Sequence, residues 1–175
     1  MPSWPAAASF PPSARFPKLV IVKVADLSDV VRRARYRESA GALNEILGRS
    51  SPGLDEQFEE DLEVDAELYR SGNDVYLQGR VTGMVRCACK RCLDEIHWPL
   101  EREFRFLLVK EGEEAELEDD AGLDHYSGDE IDISPLIREE ALLALDESVL
   151  CSEDCKGLCA GCGANLNREP CTCRR

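Results

Sequence analysis

No stretch of this sequence is apolar for long enough to cross a bilayer, and positive charge is scarce. Across 175 residues, 21 Lys and Arg face 35 Asp and Glu, a formal net charge of -14. Long-range attraction to phosphate is therefore unavailable to the chain as a whole, and any contact with nucleic acid needs a local basic patch or a basic protein partner. The opening segment, "MPSWPAAASFPPSARF", lacks the basic start and continuous apolar centre of a secretory signal. It reads as a disordered leader, over 1–16, of a bacterial cytoplasmic protein. The alternative is a plastid transit peptide, since no acid occurs before Asp26 and Ser3, Ser9, Ser13 and Arg15 lie within it. The sequence has no H-E-x-x-H, no nucleophile elbow and no glycine-rich phosphate loop. Acids are so common that paired carboxylates carry no information. No enzymatic activity and no small-molecule substrate are expected.

Nine cysteines are present, and six of them fall in "CSEDCKGLCAGCGANLNREPCTC", 151–173, which has almost no large apolar side chains. Something other than hydrophobic burial must hold that tail. Without a secretory signal, closely spaced thiols point to metal rather than to disulfides.

The rest of the chain predicts an α+β fold: an antiparallel β-meander with one or two packed helices and a cysteine-rich, zinc-ribbon-like tail. A first strand is expected over 17–27 and a largely helical segment over 28–47. Ser28 or Ser39 would cap that helix, Leu43, Ile46 and Leu47 would face inward, and Gly48 would stop it. The first 37 residues hold seven basic and two acidic side chains; a solvated helix face is the plain explanation. From Phe58 the pattern alternates, with Phe58, Leu62, Val64, Ala66 and Leu68 on one face. "SGND" turns, and "VYLQGRVTGMVR" returns as the partner strand, Gly79 and Gly83 suggesting bulges or a bend. "EIHWPLEREFRFLLVK" continues as one or two strands. Residues 111–130, with ten acids and no Lys or Arg, read as a mobile acidic loop, more simply a solubilising one than an imitation of a phosphate backbone that attracts a basic partner. A short strand and a helix follow, with Ser134 as N-cap, Pro135 first in the helix, and Leu136, Ile137, Ala141, Leu143, Ala144 and Leu145 as its apolar stripe. The division expected is the leader, a core over 17–150, and a metal-binding tail over 151–175 packed on that core.

Eight cysteines pair closely: Cys89 with Cys92, Cys151 with Cys155, Cys159 with Cys162, and Cys171 with Cys173. A C-x-x-C loop aims both sulfurs at one ion, and tetrahedral zinc takes four thiolates at about 2.3 Å. The preferred partition places Cys159, Cys162, Cys171 and Cys173 on one zinc, and Cys89, Cys92, Cys151 and Cys155 on another that staples the tail to the sheet. Coordination of this kind contributes on the order of 10 kcal/mol to folding. A single site of Cys89, Cys92, Cys159 and Cys162 is the rival. Cys87 is left over, and His97 and His125 read as surface or packing residues.

"CKRCLDEI", "IDISPLIREEALLAL" and "CKGLCAGCGANLN", in that order, resemble the YceD-like large ribosomal RNA accumulation proteins of bacteria and plastids, over about residues 60–173. The resemblance implies a non-enzymatic role in accumulation of large-subunit (23S) ribosomal RNA. Cys89 and Cys92 match its mid-chain pair, and Cys151, Cys155, Cys159, Cys162, Cys171 and Cys173 its cysteine-rich tail. Where the family often has prolines between helix and tail, Asp146 and Val149 stand. The partner expected is that RNA or an early ribosomal protein, with the acidic loop shielding basic protein and Arg86, Lys90, Arg91 and Arg105 making local contacts. Four thiolates on one zinc carry a net charge of about -2, which disfavours a broad grip on RNA. A zinc–thiolate redox switch and a zinc-ribbon interaction module in transcription are the alternatives.

Overall fold

Alternation of apolar and polar residues builds the centre of the sheet. In the computed structural model, which describes residues 21–50, 55–112, 122–145, 148–171 and 173, β4 (Leu62–Ser71) and β5 (Asp74–Ala88) form a hairpin. The hairpin turns at Gly72, whose φ of 64° suits glycine. Leu62, Val64, Ala66 and Leu68 on β4 are buried on one face with Val75, Leu77, Val81 and Val85 of β5. The antiparallel partner β6 (Glu95–Lys110) is one continuous strand, in register from Val75↔Leu108 to Ala88↔Glu95.

Gly79 marks no bulge, because both ladders run through it without a skipped residue, and Gly83 lies in the unbroken β5–β6 ladder one residue beyond the end of the β4–β5 pairing. They answer to crowding. A Cβ at Gly79 would stand 2.2 Å from the Asp65 carbonyl oxygen, and one at Gly83 would stand 2.1 Å from Leu62 Cδ2.

The segment expected to be helical over 28–47 divides. Arg32–Glu38 forms β2, antiparallel to β4, and only Ala40–Ser50 forms a helix, α1. Period two explains the strand: Arg33, Arg35 and Arg37 lie opposite Glu67, Asp65 and Glu63 and pair with them at 2.9, 2.9 and 3.0 Å. The basic segment is thus a strand face neutralised by β4, not a helix face. Ser39 does cap α1, its Oγ accepting from Ala42 N at 3.4 Å, and Asp61 Oδ1 accepts from Ala40 N. The helix runs past Gly48 to Ser50. Leu43 and Leu47 are buried, and Asn44 clasps both backbone groups of Phe58 in the short strand β3 (Gln57–Phe58).

At the other edge β7 (Gly122–Tyr126) runs parallel to β6. This corrects the expected loop: 122–126 are a strand, anchored by buried Tyr126, whose hydroxyl donates to Asn73 O at 2.9 Å. Residues 113–121 lie outside the described residues. A second, two-stranded sheet pairs β1 (Ile21–Lys23) with β8 (Glu130–Asp132). The strand expected over 17–27 is therefore short, turning into a 3-10 helix at Val24–Asp26; 17–20 lie outside the described residues.

Helix α2 (Ser134–Leu143) packs Leu136, Ile137 and Ala141 onto the core. Its start is capped by Asp132, whose Oδ1 accepts from Ser134 N at 2.9 Å. The Ser134 hydroxyl, expected to cap, is buried without a partner. Leu143 is 64% exposed and leaves the expected stripe. The result is an α+β fold, with a mostly antiparallel mixed sheet and both helices contributing to its core. No helix among the described residues is long and apolar enough to cross a membrane.

Candidate metal centres

The turn from β5 to β6 is a thiol loop. Leu93 N donates to Cys89 O at 2.9 Å and Cys89 N to Asp94 O at 2.9 Å, which folds Cys89 and Cys92 onto one side. The tail repeats this loop: Gly163 N donates to Cys159 O at 2.8 Å and Cys159 N to Ala164 O at 2.8 Å. In each loop the residue after the second cysteine is left-handed, Leu93 at φ 61° and Gly163 at φ 74°.

Following α2, the chain returns to the first loop. Lys90 N donates to Val149 O at 3.2 Å and Leu158 N to Arg91 O at 3.0 Å. Side chains fasten the rest: Arg91 Nη1 donates to Cys155 O at 3.1 Å, and Asp94 accepts from Asn165 at 3.0 Å and from Arg168 at 2.8 Å. Gly157 lies so near that a Cβ would stand 3.0 Å from Arg91 O.

This docking brings Cys89, Cys92, Cys151 and Cys155 together as an inner group, and Cys159, Cys162, Cys171 and Cys173 as an outer one. Within each, the sulfurs lie within 4.8 Å of one another, and each group can hold a metal ion. The single-site rival of Cys89, Cys92, Cys159 and Cys162 is not the grouping that forms. Sulfurs around a tetrahedral ion at about 2.3 Å stand about 3.8 Å apart. Here Cys89–Cys155 is 3.7 Å, Cys92–Cys151 3.6 Å and Cys162–Cys171 3.7 Å, with Cys159–Cys171 closer at 3.0 Å. Donors for thiolate are in place as well. Asn167 Nδ2 reaches Cys155 Sγ at 3.3 Å, Gly161 N reaches Cys159 at 3.4 Å and Cys173 N reaches Cys171 at 3.2 Å.

The electrostatics explain why a cation suits both groups. Burial opposes charge on Cys89, yet the N–H groups of Cys151, Cys92 and Arg91 outweigh it and bring the thiol down to about 6. Cys92, despite the N–H of Asp94, is pushed up to about 12 by burial and by the neighbouring sulfurs. In the outer group Cys171 and the N–H groups of Cys162 and Gly161 lower Cys159 to about 6, while Cys162 and Cys171 raise Cys173 to about 12. Without an ion, the sulfurs compete for negative charge; a divalent cation makes four thiolates compatible.

Cys87 joins neither group; it is buried in the core-facing row of β5, and burial and Glu56 raise its thiol. Neither histidine joins one either. His97 Nδ1 meets Glu59 at 2.8 Å, and His125 is exposed on β7. The four candidate contact cations do not form one patch. Arg86 meets Glu95 and Gln57, Lys90 meets Glu56 at 2.7 Å, and Arg91 holds the tail. Arg105, exposed on β6, lies on the order of 30 Å along the strand from that loop. Asp94, Asn165 and Asn167 were missed by sequence reasoning. Their polar side chains beside C-x-x-C loops were the available signal.

Residues 77–175, from β5 through both cysteine groups, match the family "Large ribosomal RNA subunit accumulation protein YceD". The chain is 28% identical over 141 residues to "Large ribosomal RNA subunit accumulation protein YCED homolog 1, chloroplastic" of Arabidopsis thaliana, covering 65% of this chain and 44% of the relative. The Zea mays protein of the same name is 28% identical over 140 residues, covering 63% and 48%. An uncharacterised protein of Mycobacterium leprae is 29% identical over 111 residues, covering 62% and 51%. The chain thus spans about half the length of the curated relatives it matches. No solved structure matches it. With more than half its length matched, including every cysteine of the two groups, this chain belongs to the YceD family.

Proposed function

We propose that this chain is a non-enzymatic factor that supports accumulation of large-subunit ribosomal RNA, held in shape by two structural zinc ions. The observation that carries the reading is the family match, which spans both cysteine groups and the docking between them. Zinc is favoured by the donor set, since four thiolates and no histidine or carboxylate suit a closed tetrahedral site. Such a site keeps no open position for a reacting water, and this favours a structural role over catalysis. Partner choice follows from charge. The outer-face arginines of β2 are taken up by β4, and Arg80 by Glu101 and Glu103. A net charge of -14 favours a basic ribosomal protein on the nascent large-subunit RNA over a broad grip on RNA. The bacterial cytoplasm or the plastid is the compartment this role requires.

The test is the ratio of large- to small-subunit ribosomal RNA in cells depleted of the protein, with rescue by wild type and by Cys89→Ser/Cys92→Ser. A fall rescued by wild type alone supports the reading; an unchanged ratio overturns it. One observation favours a second reading, a thiol redox switch. The outer cysteines are all exposed or half-exposed, whereas three of the inner four are buried. Peroxide that releases zinc at low dose and changes the ribosomal RNA ratio reversibly would support it.

A further inference from the structure

The two thiol loops provide an internal comparison. Both close with the same two backbone hydrogen bonds, and both place the residue after the second cysteine in the left-handed region. The outer loop uses alanine and glycine around its cysteines and puts Gly163 at that position; the inner loop puts Lys90, Arg91 and Leu93 in the equivalent places. Metal geometry therefore does not require these large side chains. Lys90 and Arg91 have internal partners in Glu56 and the Cys155 carbonyl.

Leu93 is different. It is the one non-glycine residue with positive φ among the described residues, and its side chain is 64% exposed. It belongs to neither buried apolar cluster. An L-residue with a branched side chain is disfavoured in this conformation, and an exposed isobutyl group gains nothing from water. The turn accounts for the left-handed backbone but not for a leucine where Gly163 serves the other loop, and the chain offers that side chain no buried contact.

We infer that Leu93 is the anchor by which this chain docks on a basic protein, its side chain entering an apolar pocket of that partner. Charge selects protein over RNA. Around the loop, Lys90, Arg86 and Arg168 are paired with Glu56, Glu95 and Asp94, and Arg91 alone of the four is held by a carbonyl rather than a carboxylate, so little free positive field faces a phosphate. The chain's charge of -14 draws a basic surface instead. The inference rests on the proposed ribosomal role for the identity of the probe.

The metal-loaded full chain, carrying a photo-crosslinking benzoylphenylalanine at position 93, is mixed with large-subunit ribosomal proteins freed of RNA, and separately with protein-free large-subunit RNA. A crosslink to one basic protein is expected. L93G should then weaken binding to that protein at least tenfold, while metal content holds and the unfolding midpoint stays or rises as strain is relieved. A crosslink to RNA alone, no crosslink, or unchanged binding by L93G overturns the inference. Loss of metal or stability in L93G also overturns it, because Leu93 would then be structural. In depleted cells L93G should fail to restore the ribosomal RNA ratio. Full rescue by L93G overturns the anchor and leaves the ribosomal role standing.

Discussion

Gly79 sits where three strands crowd: a Cβ there would stand 2.2 Å from Asp65 O and 2.8 Å from the Phe104 ring. Gly79→Ala must push strands apart, and about 1–3 kcal/mol of stability should be lost, read from the denaturant midpoint. Gly48, in α1, meets nothing within 4 Å; Gly48→Ala should be neutral or stabilising in the same assay. A buried ion pair gives a larger effect. Glu38, 2% exposed, is held by Arg138 at 2.6 Å. Arg138→Met leaves that carboxylate buried and unpaired, with an expected loss of about 3 kcal/mol. On the surface, Glu59 accepts a hydrogen bond from His97 and raises its pKa above the ordinary 6.5. The contribution of that pair is fully present below about pH 6.5 and lost as pH rises through the folded value. Glu59→Gln should lower the His97 midpoint toward 6.5 in an NMR titration; an unmoved midpoint would mean the pair does not form in solution.

Among the elements, legibility follows how local the cause is. β4, β5 and β6 could be read because their alternation is written in consecutive residues and the turn between the first two in Gly72 and Asn73. β2 could not. Arginine and alanine are good helix formers, and what makes Arg32–Glu38 a strand is a row of acids on β4, thirty residues away in sequence. The polar β7 likewise owes its form to pairing with β6 and to Tyr126 reaching Asn73, neither visible locally. The cysteine groups were legible for the opposite reason: C-x-x-C spacing states its own geometry, and two separated pairs need each other to complete four ligands. Leu93 was illegible because nothing in its side chain announces a left-handed backbone. Docking of the tail is also non-local, and Asp94 is its hinge pin, joining Asn165 and Arg168 to the inner loop. Asp94→Ala should raise amide exchange across 156–169 while the protection of β4 and β5 holds. Unchanged exchange would place the docking in the metal alone.

At the scale of the molecule the two cysteine groups, each able to hold a metal ion, differ in what they join. The outer one lies wholly within the tail, between Cys159 and Cys173, whereas the inner one ties the β5–β6 turn to the segment after α2, Cys92 to Cys151, across 59 residues. Closing so long a loop removes much freedom from the unfolded chain, so an ion held by the inner group would act on global stability and one held by the outer group on the tail. Burial adds to the difference: Cys89, Cys92 and Cys155 are each at most 4% exposed, and the outer thiols stand half-open to solvent. A chelator added in steps should therefore withdraw the outer ion first, with the thermal midpoint of the sheet unmoved, and the inner ion second, with a fall in that midpoint. Acid should follow the same order, since protons compete for thiolates at both groups and reach the exposed one more easily. Cys159→Ser/Cys162→Ser should retain one ion and the midpoint; Cys89→Ser/Cys92→Ser should retain one ion and lose part of the midpoint. Apolar packing of Leu62, Val64, Leu77 and Ile137 does not involve either group, and the sheet should stay folded at low temperature with both ions removed. Simultaneous loss of the two ions together with all secondary structure would show instead that sheet and tail fold as one metal-dependent unit.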